Sequence, residues 1–160
     1  MNMTKMKSIL FLMLVIVALS LQAQTGPSTL LVDDIAAFKA NDIVRIDSLE
    51  DGTVKIGRTY SNGISSLSIR ISTIAAYQKE ELPKQVQRLV DVFEGMAAEG
   101  KMEAEVQNTG TFKGVLTFFE GTAGGILIVK GNYLVEYQLS DASGVKIAKA
   151  VMEGLNLSSL

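Results

Sequence analysis

The stretch RTYSNGISSLSIRIS, running from Arg58 to Ser72, places an Asn62-Gly63 pair between two runs of alternating apolar and polar residues. Asn and Gly tolerate the positive φ that a tight hairpin turn demands, so the pair marks a reversal between strands. On the far arm Leu67, Ile69 and Ile71 fall on one side, and Ser66, Ser68, Arg70 and Ser72 on the other. That period of two belongs to a strand with one buried and one wet face. An antiparallel sheet is the frame into which the remaining segments must fit.

Upstream, Ile43 to Asp47 and Thr53 to Tyr60 are joined through Asp51-Gly52 and read as a strand pair. Asp33 to Ala40 reads as a brief helical turn or an irregular lead-in. Downstream, Leu82, Val86, Leu89, Val90, Phe93 and Ala97 fall on one helical stripe between Gln78 and Gly100. Pro83 fits only the first turn of that helix, and Gly100 is its expected stop. Four strands follow, Met102 to Gln107, Thr111 to Phe119, Gly125 to Lys130 and Tyr133 to Leu139, the last two closed by Gly131-Asn132. Gly121 to Gly125 reads as a flexible hairpin loop, since it lacks the Lys and Ser/Thr of a phosphate loop. Val145, Ala148, Val151, Met152 and Leu155 define a second amphipathic helix, with Ser140 or Asp141 as its expected cap. The order predicts an α+β fold, an antiparallel sheet of about six to seven strands packed with two main helices.

Ahead of this domain, Lys5 and Lys7 precede an unbroken apolar run from Ile9 to Leu19, and small Ala23 stands before Gln24. Residues 1–23 read as a secretory signal peptide cleaved near Ala23, because a spanning helix needs about 20 apolar residues. Residues 24–32 read as a flexible leader and 33–160 as a single domain. The expected location is secreted or periplasmic, with no membrane anchor after cleavage, since there is no cysteine to carry a lipid.

The chain of 160 residues contains no His, Cys or Trp. This removes the commonest general base, the thiolate nucleophile and the usual transition-metal ligands. A net charge of -2 argues against a nucleic-acid partner, whose phosphates require clustered Lys and Arg. No cofactor motif is recognised. Two carboxylate groupings remain. Asp33-Asp34, Asp42, Asp47 and Glu50-Asp51 lack EF-hand spacing and read as turn formers on a solvated edge. Glu103 and Glu105, with Glu120 and Glu136 on neighbouring strands, are the residues a carboxylate-dependent hydrolase would use, although alternating Glu on an exposed strand is the commoner arrangement.

Arg58-Thr59-Tyr60 before the turn, Gly131-Asn132-Tyr133-Leu134-Val135, and the ending Leu155 to Leu160 resemble a loose group of small exported bacterial proteins of unknown function. The element order is similar to that of PsbP-like domains, exported or organellar sandwiches that mostly assist assemblies, and this likeness transfers no site residue. The function expected is that of an exported, non-enzymatic binding or assembly module acting through its sheet or helix surface on a protein or envelope component. A carrier of a small lipophilic ligand is the alternative. The candidate interaction surface is Phe118, Phe119 and Leu134, because adjacent Phe118 and Phe119 must face opposite sides of the sheet.

Overall fold

A computed structural model describes residues 31–155, 157 and 160. The leader expected over residues 1–23, and the segment from 24 to 30, lie outside the described residues.

Nine strands form one antiparallel sheet: β1 (Asp34–Ile35), β2 (Phe38–Ala40), β3 (Arg45–Ser48), β4 (Val54–Ser61), β5 (Ser66–Thr73), β6 (Glu103–Asn108), β7 (Phe112–Phe119), β8 (Thr122–Val129) and β9 (Tyr133–Leu139). Among the described residues two α-helices pack on it, α1 (Glu81–Ala98) and α2 (Val145–Gly154). Across the sheet the order is β1-β2-β4-β5-β9-β8-β7-β6, and β3 shares one edge of β4 with β2. The α+β class and antiparallel pairing agree with the sequence, and the strand number exceeds the expected six to seven. The surplus comes from Asp33 to Ala40, which forms the hairpin β1–β2 rather than a helical turn. Ala36 takes φ 51 in its turn, and Ile35 and Phe38 are buried on either side of it. A helical turn that short makes too few hydrogen bonds to offset its nucleation, whereas pairing with β4 satisfies backbone groups at once.

The chain leaves β5 in the middle of the sheet, crosses through a 3-10 turn (Ala76–Gln78) and α1, and lands on β6 at the far edge. It then meanders back through β7 and β8 to β9, which closes against β5. This crossover lays α1 mainly over β6, β7 and β8, with its first turns reaching Leu134 of β9, and among the described residues α1 leaves the same face of the sheet largely uncovered around Ser68, Arg70 and Gln138. Helix α1 starts within one residue of Leu82 and ends in a Schellman motif, with Gly100 at φ 73, its N–H on the Ala97 carbonyl and the Lys101 N–H on that of Met96. Its stripe is rotated from the expected one: Val86 and Val90 are buried, while Leu89 is 38% exposed.

The opposite face carries the main core. Tyr60, Leu67, Ile69, Ile71, Leu116, Leu127, Val135 and Leu139 form one buried cluster with Ala148, Val151, Met152 and Leu155 of the α2 segment. Leu31 is buried in the same cluster, so ordered packing reaches back into the expected leader. Arg58 staples this N-terminal segment to the sheet, donating to the carbonyls of Leu31 and Asp42 and to the Asp33 carboxylate.

Residues Gly121 to Gly125 are not a loop. The turn is only Glu120-Gly121, at φ 45 and φ 79, and Gly124 and Gly125 lie inside β8. A Cβ on Gly125 would stand 2.6 Å from the Tyr137 ring, and one on Gly124 would stand 2.7 Å from the Tyr137 carbonyl oxygen. Close approach to β9 explains the glycines, not mobility.

Candidate functional site

Between α1 and the open half of the sheet runs a trough made of three connected depressions. The central one, of about 360 Å³, has Ser68 and Arg70 of β5, Glu136 and Gln138 of β9, Gly124 and Ile126 of β8 and Thr117 of β7 on its floor, with Phe93 of α1 as its wall. It joins a second depression of about 220 Å³ across Arg70 and Glu136, bounded by Asp51, Lys55, Ser72, Gln78 and Leu82. In the other direction it passes Phe93, Thr117 and Thr122 into an end pocket of about 410 Å³ walled by Met96, Met102 and Phe119.

The strand register explains the floor. One cross-strand row reads Arg70, Glu136, Ile126, Val115, and the next reads Ser68, Gln138, Gly124, Thr117. In each row side chains stand at the spacing of adjacent strands, about 4.8 Å. The inner end of the first row is apolar and lies under α1. Its outer end is the Arg70–Glu136 pair, at 4.0 Å and with both side chains substantially exposed. The second row is uncharged, and Gly124 makes a notch at its centre. The helix side is apolar because Leu82, Phe93 and Met96, which line the depressions, follow one another at helical spacings of eleven and three along one flank of α1. Beside them Val92 is 55% exposed.

The structure distributes the sequence-derived candidates over several places. Phe118 turns to the α2 face and packs against the main core. Phe119, 47% exposed, rims the end pocket, and Leu134 packs with Ile74, Leu82 and Val86 at the opposite end of α1. Phe119 and Leu134 thus flank the two ends of the trough, and Phe118 faces away from it.

The four glutamates are also separated. Glu103 and Glu105 pair with Phe118 and Leu116 and so share the α2 face. There a Glu103 oxygen accepts the Val145 N–H at 3.0 Å, capping α2, whose own Gly144 supplies no side-chain cap. Neither Ser140 nor Asp141 performs that task; the Ser140 hydroxyl instead accepts the Ser66 N–H. Glu105 accepts from Lys149 at 2.6 Å, and this hydrogen bond, with a second from Gln107, holds its carboxyl below the usual range while the Lys149 ammonium is pushed up. Glu136 stands on the trough floor, and Glu120 lies in the turn beside the end pocket. Of the upstream acids, Asp34 and Asp47 lie in β1 and β3, Asp33 pairs with Arg58, and Asp42 and Asp51 accept backbone N–H groups from loop positions. Asp42 is held low by the Thr59 N–H, then by Arg45 and Arg58. Asp51 is held low by the Tyr77 hydroxyl and the Thr53 N–H.

No family model, curated protein or solved structure matches this chain. The trough itself combines residues that sequence reading left apart. Its legible signal was the outward row Ser68, Arg70 and Ser72, and the matching alternation of Glu136 and Gln138 on β9. Phe93 carried no such signal, because a stripe residue beside an open sheet and one in a closed core have the same spacing.

Proposed function

We propose that this chain is an exported, non-enzymatic binding module that takes its partner in the trough between α1 and the open sheet. The observation that carries the reading is the crossover through α1. It leaves a half-covered face on which an apolar helix flank meets a polar floor, and concave sites of this mixed character are where proteins hold ligands. The basic n-region and apolar run at the N-terminus support export, and the envelope is then the expected setting for the partner.

A small lipophilic ligand is the second reading, favoured by the end pocket, with Phe93, Met96, Met102 and Phe119 around it. Between the sheet and α2, by contrast, Leu116, Leu127, Val135, Ala148 and Val151 are all buried in one apolar cluster. Hydrolysis by paired carboxylates has little support, with Glu103 and Glu105 engaged by α2 on one face and Glu136 on the other.

A photo-crosslinking residue at Gln138, in cells of the native host, tests the proposal. Adducts are expected from position 138 and not from Lys146 on the far side of the molecule, and they should disappear when Ser68→Trp fills the trough. Equal labelling from both positions would reject the trough as the binding surface.

A further inference from the structure

Resting on that reading, we infer that the central depression is a saccharide site, and that its ligand is a neutral oligosaccharide lying across β5, β9, β8 and β7. Three observations converge on this chemistry. The four floor strands are interior, each paired on both sides, so their main-chain donors and acceptors are consumed by the ladders. A peptide cannot join such a floor as an added strand, and recognition falls to side chains alone.

Those side chains form a dense array of hydroxyl, amide, guanidinium and carboxylate groups: Ser68, Thr117, Thr122, Gln138, Arg70 and Glu136. A ligand that satisfies donors and acceptors in rows must itself carry many groups able to do both, which describes sugar hydroxyls. The charges cancel. Arg70 faces Glu136 on the central floor, and Lys55 stands with Asp51 in the adjoining depression. An anionic or cationic ligand would find no net counter-charge, whereas an uncharged one loses nothing to the field.

The third observation is the Phe93 wall beside the Gly124 notch. The C–H face of a sugar ring is apolar, and an aromatic side chain gives it a surface to cover while the hydroxyl edges meet the floor. A volume of about 360 Å³ lies within the range of small-molecule sites, and its opening past Arg70 and Glu136 lets a chain of several rings continue.

The test is an NMR titration of labelled protein purified from its host, using hexasaccharides of β-1,4-glucose, α-1,4-glucose, β-1,4-mannose, β-1,4-xylose and β-1,4-N-acetylglucosamine. Hexagalacturonate is the acidic control. At least one neutral probe is expected to shift the amide signals of Ser68, Thr117, Gly124 and Gln138. Gln138→Ala and Arg70→Ala should each weaken that probe about tenfold, the effect of losing one hydrogen bond to a polar ligand. Ser68→Trp should abolish binding without altering the melting temperature. The inference is overturned if all five neutral probes leave these signals unmoved, if binding survives Ser68→Trp, or if hexagalacturonate binds more tightly than every neutral probe. A protein adduct from position 138 without any saccharide response would overturn this inference and leave the binding-module reading standing. Silence in both experiments would remove both.

Discussion

The Tyr137 ring occupies the space that a side chain at Gly125 would need, and its hydroxyl donates to the Ala148 carbonyl at 2.8 Å. Strand β8, strand β9 and helix α2 are thereby locked through one side chain, whose hydroxyl is pushed up in pKa by burial. Gly125→Ala should destabilise the fold by about 1–3 kcal/mol through overpacking. Tyr137→Phe should cost about 1 kcal/mol for the lost hydrogen bond. Chemical denaturation measures both, and a Gly125→Ala protein as stable as the parent would contradict the contact.

Glu103 caps α2 from a strand some forty residues earlier in the chain. Glu103→Ala should lower stability by about 1 kcal/mol, as loss of a helix cap does, and Ser140→Ala should leave the helicity of α2 unchanged. Circular dichroism and denaturant midpoints on the two variants distinguish the strand-borne cap from a local one.

Glu105 has a lowered pKa, so its contribution to stability is complete above its ordinary value of 4.5 and is lost as pH falls through the folded value below it. Stability measured between pH 7 and pH 3 should therefore fall at the acid end, and the fall should be shallower in Glu105→Gln. The partner has the opposite sign: Lys149 contributes fully below its ordinary 10.5 and loses its share as pH rises through a higher folded value. Added salt should shrink both effects, because the pair is partly exposed. Identical acid profiles for the parent and Glu105→Gln would show that the pair contributes nothing.

On α1, Val90→Ala should cost about 2 kcal/mol, whereas Leu89→Ala should cost well under about 1 kcal/mol, because truncation penalties follow burial. Equal losses in denaturant titrations would return Leu89 to the buried stripe.

Deleting residues 141–160 should leave a protein that aggregates, since Leu116, Leu127 and Val135 would lose the cover of Ala148, Val151, Met152 and Leu155. A soluble, monomeric and folded truncation, judged by gel filtration and circular dichroism, would show that α2 is dispensable to the core.

Local chemistry alone determined much of this protein. Alternation in Leu67, Ile69 and Ile71, the turn-forming Asn62-Gly63, the stop at Gly100 and the stripe of the C-terminal helix depend on neighbours within a few positions, and all of them stand in the structure. Asn62 does more than tolerate the turn: its side chain accepts the N–H groups of Ile64 and Ser65 and sets a four-residue loop. What tertiary structure decided were the features whose partners are distant in sequence. Hairpin β1–β2 exists because β4 offers it an edge, and Gly124 and Gly125 are strand residues because Tyr137 presses on them. Glu103 became a cap because α2 lands above β6. The trough belongs to the same class: Ser68, Gln138, Gly124 and Thr117 become one row only when strand register is set, and register is a property of paired strands that no single strand carries.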